Sequence, residues 1–338
     1  MKKLLKIFFV ILILSLIGFS VYFYLNYEEE EKEIVELVPT KVDVPELQII
    51  DVNSDSRNIA VMINNISTAV PYHSGLQQAH TVYEIITEGG ITRLMAVFKD
   101  QDLSSVGSVR SSRHYFLDYA LENDAIYVHY GFSEYAKSDI YSLGINNING
   151  LYDNAFIRLD LPIAYEHTAY TNSDLINSYI ESKGYDTTSD TVLLNYSVFN
   201  VNLSTINESI VANEVMINYS SYDNTSFVYD SENQVYNRFK NGVAHSDYVT
   251  GLQYTAKNII VLKVENYSID SYGRQDLYNI GTGSGYYITN GYAVEITWEK
   301  ESRESQTIYK DLNGNEIFIN DGNTYIQIQP IDQDLIIS

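Results

Sequence analysis

The first residues of the chain allow little choice of structure, because an uncharged run extends from Ile7 to Leu25. These nineteen residues rise about 28 Å as an α-helix, close to the roughly 30 Å hydrocarbon core of a bilayer. A cleaved signal peptide is the alternative, but its apolar part is usually shorter and ends in small residues. This run ends instead in the bulky sequence VYFYL. We therefore predict an uncleaved anchor over residues 1–25, with residues 7–25 in the membrane.

Charges on either side of the run predict its orientation. Three lysines precede it, and four glutamates at positions 28–31 follow it. Under the positive-inside rule, the N-terminus stays cytoplasmic and the folded part lies outside the cell. This predicts a single-pass protein of the cell membrane with extracellular domains. Residues 26–56 are acidic and contain prolines, so we predict a stalk there.

The composition limits the possible partners and chemistry. The 338 residues carry a net charge of −23, which disfavours nucleic acid because its binding needs clustered Lys and Arg. The chain has no cysteine, which excludes disulfides, thiol catalysis, Cys-ligated zinc and a lipid-modified N-terminal Cys. Hydrophobic residues make up 45% of the chain, enough for folded cores rather than disorder.

The region after the stalk, residues 57–190, alternates short apolar runs with segments of helical spacing. This alternation predicts an α/β layered domain. Gly184 is placed to end the last of its helices. The predicted strands are 58–64, 81–87, 91–98 and 125–130, and the predicted helices are 74–79, 112–122, 133–143 and 173–183.

The pattern changes in the second half of the chain. Residues 191–208 are polar and irregular, and we predict a linker there. Residues 209–338 alternate apolar and polar side chains between Asn-Gly and Asp-Gly turns, which predicts a mainly β domain. The expected fold class is therefore α+β, behind one transmembrane helix.

A Gly-Gly pair at positions 89–90 separates two predicted strands and indicates a two-residue hairpin. Such a loop pairs Ile86 with Arg93 and places Glu84, Glu88 and Arg93 on one face of the sheet. Two interpretations remain open: a polar floor of a binding cleft, or a cross-strand ion pair on a solvated face, which stabilises little. A longer loop would change this register.

More basic residues follow at the start of a predicted helix. Arg110 and Arg113 flank Ser111 and Ser112, in a protein otherwise poor in arginine. Backbone N–H groups at a helix start, together with guanidinium groups, can bind phosphate or carboxylate. The alternative is that Ser112 only caps the helix while the arginines pair with acidic side chains. Arg93, Arg110, Ser111 and Arg113 are thus candidates for binding an anion.

Other motifs give weaker signals. His129 ends an apolar predicted strand, and strand ends in α/β sheets often carry functional residues; a buried, hydrogen-bonded histidine is the alternative. The other histidines lack the spacing of zinc motifs, so the sequence assigns no metal and no cofactor. Residues 281–285, GTGSG, lack the Lys-Ser/Thr of a nucleotide loop, and we predict a glycine-rich turn between strands.

Longer motifs run through both halves of the chain. They include AVMINN, SGLQQAHTVYEIITEGGITRLMAVF, VGSVRSSRHYFLDYA, DAIYVHYG, NRFKNGVAHSDYVTG and GTGSGYYITNGYAVEITWEKESRES. Over residues 57–330 these motifs resemble the YerB-like lipoprotein family of Gram-positive bacteria. Members of this family contain the N- and C-terminal domains of unknown function 3048. The resemblance implies an α/β domain and a β-rich domain in a membrane-tethered envelope protein, and it implies no particular reaction. Members are commonly lipoproteins; because no Cys is present here, the helix of residues 7–25 would replace the lipid.

Two functions remain open. The first is a binding or accessory protein of the cell envelope, whose polar cleft takes an anionic envelope ligand or an envelope protein. The second is an enzyme, or former enzyme, acting on a phosphorylated envelope lipid, loosely similar to the LytR-CpsA-Psr glycopolymer transferases. That analogy implies phosphate binding by the arginines and a metal on Glu84 or Glu88, but the Pro-Arg-Asp motif is absent. Both functional interpretations of these residues require that the arginines and carboxylates converge in one cleft.

Overall fold

The structure, a computed structural model, describes residues 1–26, 46–191 and 194–338. The chain divides into two units, residues 1–44 and residues 45–338. The first unit contains a helix that is long and apolar enough to cross a membrane. Residues 27–45, most of the predicted stalk, lie outside the described residues. In the second unit, the backbone N–H groups of Gln48 and Ile49 donate to the Asp321 carboxylate, so this end of the predicted stalk packs on the folded unit.

The described residues contain four α-helices, five short 3₁₀ turns and twenty-four strands. The helices are α1 (Lys2–Leu25), α2 (His114–Glu122), α3 (Glu134–Ser142) and α4 (Ser173–Lys183), and the 3₁₀ turns are Val70–Tyr72, Leu76–Gln78, Glu88–Gly90, Tyr165–His167 and Leu203–Thr205. The strands are β1 (Ile59–Asn64), β2 (Thr81–Ile86), β3 (Thr92–Phe98), β4 (Val106–Gly107), β5 (Ile126–His129), β6 (Asn147–Asn149), β7 (Ile157–Arg158), β8 (Ala169–Thr171), β9 (Tyr196–Ser197), β10 (Ile210–Val211), β11 (Glu214–Asn218), β12 (Asn224–Asp230), β13 (Val235–Lys240), β14 (Val243–Ala244), β15 (Thr255–Ala256), β16 (Asn258–Val264), β17 (Asn266–Ser268), β18 (Gln275–Leu277), β19 (Gly281–Thr289), β20 (Tyr292–Lys300), β21 (Ile308–Lys310), β22 (Ile319–Asn320), β23 (Thr324–Pro330) and β24 (Leu335–Ile337).

One mixed sheet forms the centre of the second unit. Its strand order is β10-β20-β19-β16-β23-β2-β3-β1-β5-β6, with β21 beside β20. Strand β23 lies between β16 and β2 and is parallel to both, so the sheet is continuous through the two halves of the chain. The mixed α and β content, with a mainly β second half, confirms the predicted fold class. The predicted domain boundaries stay predictions.

Two layers cover the central sheet. Side chains alternate between its faces: Ala60 and Met62 pack with α2 and α3, while Val61 and Ile63 pack with α4 and a second sheet. The second sheet has the order β14-β13-β12-β11-β24, with β15 beside β13. Because both faces of the central sheet are covered, its inner strands are buried and mostly apolar, with Glu84, Arg93 and Gln327 among the exceptions. This burial explains why β1 is a continuous apolar run in the sequence.

The predicted hairpin register at the Gly-Gly pair was wrong by one residue. The N–H of Thr87 donates to the carbonyl of Ile91 at 2.7 Å, and the 3₁₀ turn Glu88–Gly90 lies between them. Both glycines of this turn have a φ of +69°, which other residues adopt only with strain. Strand pairing consequently joins Ile85, not Ile86, to Arg93. Since a slip of one residue turns a side chain to the other face, Glu84 and Arg93 lie on opposite faces of the sheet.

The predicted turn at residues 281–285 was also wrong, because these residues begin strand β19. Gly283 pairs with Trp298 of β20, and Gly285 pairs with Ile296. A Cβ at Gly283 would lie 2.5 Å from the Trp298 indole nitrogen, and a Cβ at Gly285 would lie 2.1 Å from the Val261 carbonyl oxygen. These glycines therefore permit close packing within the sheet.

Candidate anion-binding site

The segment between β4 and α2 enters the central sheet where two parallel strands separate. Strands β1 and β5 pair directly only as far as residues 61 and 128. Beyond this point the N–H of Arg110 donates to the Met62 carbonyl at 2.9 Å, and the N–H of Tyr130 donates to the Arg110 carbonyl at 3.0 Å. Arg110 and the serines after it thus lie at the carboxyl ends of parallel strands, a common position for ligand sites in such sheets.

Three guanidinium groups converge at this position. The Arg113 guanidinium binds the Glu88 carboxylate through Nε at 2.5 Å and Nη2 at 2.9 Å, and Arg93 lies 3.9 Å from the same carboxylate. Arg93 also donates to the Ser111 carbonyl at 2.7 Å, and Arg110 donates to a backbone carbonyl at 3.1 Å. We call Arg93, Arg110 and Arg113, with Glu88 and Ser111, the arginine cluster.

The pKa shifts in the cluster come first from burial and then from the charges of neighbouring groups. Burial, and then the charge of Arg113, lower the pKa of Arg93 to about 9, which leaves the guanidinium charged at neutral pH. Burial also lowers the pKa of Arg110; the negative charge of Glu166 opposes this shift, and the positive charge of Arg113 adds to it. Burial alone would raise the pKa of Glu88, but hydrogen bonds and charge from Arg113 lower it overall. The guanidiniums therefore repel one another and favour a negative group among them.

Glu84, a predicted site residue, does not join the arginine cluster. It is fully buried on the other face of the sheet, 2.7 Å from Arg238 and 3.1 Å from Lys240. Lys240 also pairs with Asp223 at 2.6 Å. Burial would raise the pKa of Glu84, but Lys240 and Arg238 lower it to about 2. Its carboxylate oxygens are thus committed to buried cations, and we call these four side chains the buried ion network.

Two histidines extend the buried ion network toward the arginine cluster. His245 contacts Arg238 through Nδ1 and His73 through Nε2, the latter at 2.9 Å. His73 in turn contacts the carbonyl of Asn64. Asn64 lies in β1 and pairs with Arg93 of β3. Burial lowers the pKa of His73 to about 3 and holds that of His245 well below its usual value. Both imidazoles are therefore neutral and act as hydrogen-bonding links between the two halves of the chain.

His129, the last predicted site residue, lies behind the arginine cluster. It is fully buried, with Nδ1 2.8 Å from the Gly131 carbonyl and Nε2 3.0 Å from the Asn147 amide oxygen. The same Gly131 carbonyl accepts the N–H of Ser112 at 2.9 Å. With both ring nitrogens engaged, the side chain supports the loop rather than presenting a free nitrogen to a ligand.

Several neighbours of the cluster were not found from the sequence. The Arg110 guanidinium donates to the carbonyl of Glu166, in the turn Tyr165–His167. Arg158 stacks between the rings of Tyr130 and Tyr165, 4.4 and 4.2 Å from their centroids. Arg158, Tyr165 and Glu166 follow Arg110 by about fifty positions, in an irregular region where no periodicity predicts them. The sequence feature that could have indicated them is a tyrosine, an arginine and a histidine close together in this region.

Two cavities lie elsewhere in the second unit. One, of 460 Å³, is lined by residues around Ile59, Asp102 and Ile176, and the other, of 300 Å³, by residues around Val52, Tyr196 and Tyr309. Neither includes a residue of the arginine cluster. Within residues 1–26, 46–191 and 194–338, no three His, Asp or Glu side chains are grouped to hold a metal ion.

Comparison with known proteins identifies the family. Residues 47–186 match the N-terminal domain, and residues 215–326 the C-terminal domain, of the protein of unknown function DUF3048. The chain is 32% identical over 290 residues to the "Putative lipoprotein YerB" of Bacillus subtilis (strain 168), covering 82% of each protein. The crystal structure of YerB protein from Bacillus subtilis superposes with a TM-score of 0.74 at 31% identity, covering 84% of this chain and 94% of that one. The chain therefore belongs to the DUF3048 family, as its motifs predicted.

Proposed function

We propose that this chain is a membrane-anchored, extracytoplasmic binding protein whose arginine cluster holds an anionic group of a cell-envelope component. The observation that carries the proposal is the convergence of Arg93, Arg110 and Arg113 beside one carboxylate, Glu88. Two guanidiniums share that carboxylate, and within the described residues Arg110 forms no ion pair with any carboxylate. Within the cluster three guanidiniums thus face one carboxylate, with the charge of Glu166 acting on Arg110 from outside it, in a chain whose net charge is −23.

The chemistry of the cluster suits a phosphate or carboxylate group. Guanidiniums bind such groups through paired hydrogen bonds, which are stronger than neutral hydrogen bonds. The guanidinium groups are partly or largely buried, so salt screens them less than it would screen a surface charge. An incoming anion would therefore bind Arg110 directly and compete with Glu88 for Arg93 and Arg113.

The proposed location rests on the N-terminal helix. Helix α1 has the length and composition of a membrane span, and a relative is named as a lipoprotein. Under the positive-inside rule the lysines before the span favour a cytoplasmic N-terminus, so the second unit would face the cell envelope. In this arrangement the helix has the role of a lipid anchor, and the arginine cluster meets extracellular ligands.

The enzymatic alternative makes a different demand on the carboxylates. Phosphate transfer from an envelope lipid would need a metal ion beside the arginines, and Glu84 is committed to the buried ion network. Glu88 remains as the carboxylate within the cluster. Dependence of anion binding on Mg²⁺ would therefore favour the enzyme, whereas metal-independent binding favours the binding protein.

A thermal-shift screen of residues 46–338 tests the proposal. Phosphate and pyrophosphate, each with and without Mg²⁺, should raise the melting temperature because they bind only the folded state. In Arg110→Gln the shift should disappear while the melting temperature without ligand changes little, since Arg110 contributes one hydrogen bond to a carbonyl. No shift with any anion would refute the anion site.

A matched control keeps the test specific to the cluster. Arg274 is also an arginine of intermediate exposure, but it pairs with Asp270 at 3.2 Å in a loop of the second half. Arg274→Gln should retain the full anion-induced shift. Equal loss in both variants would mean that anions bind the chain non-specifically.

A further inference from the structure

Next to the arginine cluster lies a group of exposed tyrosines. Tyr165 is 70% exposed, Tyr152 is 68% exposed and Leu151 is 53% exposed. We call Tyr130, Tyr152, Tyr165 and Leu151 the tyrosine rim. Most soluble surfaces carry large apolar side chains singly, so several of them beside a charged site suggest a ligand with an apolar face.

The rim and the cluster are connected through short contacts. The missing Cβ of Gly131, at φ +85°, would lie 3.5 Å from the Ser111 Cβ and 3.6 Å from the Leu151 side chain. Arg110 donates to the carbonyl of Glu166, and Arg158 donates to that of Tyr165 at 2.5 Å. A ligand bound at Ser111 and Arg110 would therefore lie within a few ångströms of the tyrosine rim.

Arg158 fixes the rings and adds positive charge. Its guanidinium stacks on Tyr130 and Tyr165, and it forms no ion pair with a carboxylate among the residues that the structure describes. Such cation–π stacking holds a ring in one orientation. Because Arg158 covers one side of Tyr165, the exposed remainder of that ring faces solvent in a defined position. The rim is thus a fixed aromatic surface with phenolic hydroxyls at its edge.

This combination of groups matches one class of ligand. A sugar ring has an apolar C–H face and hydroxyls at its edge, as a tyrosine has an apolar face and one hydroxyl. A bare inorganic anion would use only the arginines, and a nucleobase would find no open slot between Tyr130 and Tyr165, because Arg158 already fills it. Resting on the proposed function, we propose that the arginine cluster and the tyrosine rim together bind an anionic saccharide, with its phosphate or carboxylate on the arginines and its ring on Tyr165.

Calorimetric titration of the full chain tests this proposal. The chain is kept in a polyoxyethylene detergent, which has no sugar headgroup. The probes are inorganic phosphate, glucose 1-phosphate, glucuronic acid, glucose and uridine monophosphate. We expect glucose 1-phosphate to bind about three- to tenfold more tightly than phosphate, the gain typical of an aromatic contact. Tighter binding of glucuronic acid than of glucose would show that a carboxylate also serves.

Substitutions separate the rim from the cluster. Tyr165→Ala should reduce the affinity for glucose 1-phosphate to that for phosphate and leave phosphate binding unchanged, and Tyr165→Phe should retain most of the gain. Tyr272 is the control, because it is 78% exposed and its ring stacks on a different arginine, Arg274, at 5.4 Å. Tyr272→Ala should bind both probes as the parent chain does.

The outcomes distinguish this proposal from the one on which it rests. Equal affinities for phosphate and glucose 1-phosphate would refute the saccharide and leave the anion site standing. No binding of any anion would refute both. Tighter binding of uridine monophosphate than of glucose 1-phosphate would overturn the saccharide in favour of a nucleotide.

Discussion

Replacing Glu88 by glutamine tests the arginine cluster most directly. The Glu88 carboxylate binds Arg113 at 2.5 and 2.9 Å and lies 3.9 Å from Arg93. It therefore occupies the position that an external anion would take. Glutamine has almost the same shape without the charge, so an incoming anion would no longer be repelled. We expect Glu88→Gln to bind phosphate and pyrophosphate more tightly than the parent chain.

The separation of the charges gives the size of this effect. Two unit charges about 4 Å apart interact by about 1 kcal/mol in water and about 4 kcal/mol at an effective dielectric constant of 20. The Glu88 side chain is 23% exposed, so the lower part of this interval applies. A gain of about 1–2 kcal/mol corresponds to a dissociation constant about 5- to 30-fold lower.

Isothermal titration of phosphate at low ionic strength measures the change. Glu299→Gln is the matched control, because Glu299 is about half exposed and pairs with Lys310 at 2.7 Å on the surface. Its affinity for phosphate should equal that of the parent chain. Unchanged or weaker binding in a folded Glu88→Gln variant would refute the competition between Glu88 and the anion. Weaker binding confined to solutions with Mg²⁺ would instead identify Glu88 as a metal ligand.

Three further predictions concern stability. Burial lowers the pKa of His73 to about 3 and that of His245 well below its usual value, so below about pH 6.5 only the unfolded state takes up their protons. Stability is therefore complete above that pH and falls toward pH 3. His73 alone should lower the free energy of unfolding by about 2 kcal/mol between pH 7.5 and 5.0, and His245 should lower it further. Urea titrations at the two pH values measure this, and equal midpoints would contradict it. Glu84→Gln leaves buried cations short of a partner and should lower the free energy of unfolding by about 3–5 kcal/mol; a loss below about 1 kcal/mol in urea would show that the ion network contributes little. Gly285→Ala places a methyl 2.1 Å from a backbone oxygen of β16 and should cost about 1–3 kcal/mol, visible as a lower melting temperature; an unchanged value would mean that the strands can separate freely.

Local signals made parts of the fold predictable. Helix α4 begins where the Asn172 side chain accepts the Leu175 N–H and ends at Gly184 with a φ of +63°, and both end signals are visible in the sequence. Strand β1 could be found as an apolar run because it is buried on both faces. Alternation and Asn-Gly turns likewise indicated the long strands of the second half.

Features that depend on distant residues were not predictable. The register after the Gly-Gly pair depends on a loop closed between Thr87 and Ile91, and the sequence is equally compatible with a shorter loop. Glu84 has its cationic partner Arg238 154 positions away, so no local pattern could distinguish a buried pair from a ligand site. The arginines were found because they are rare, whereas the tyrosine rim was missed because tyrosine is common throughout the chain.

Strand β23 has a consequence for how the protein must mature. It is made from residues 324–330 and fills the place between β16 and β2, so the first half exposes an unpaired strand edge until the C-terminus has emerged. Pairings so distant along the chain form slowly, and open edges invite association with other chains. A chain synthesised from its N-terminus would be in this incomplete state until β23 has been made. Expression of either half alone should accordingly give aggregation-prone material, and a nonsense mutation near the C-terminus should be as damaging as one in the middle.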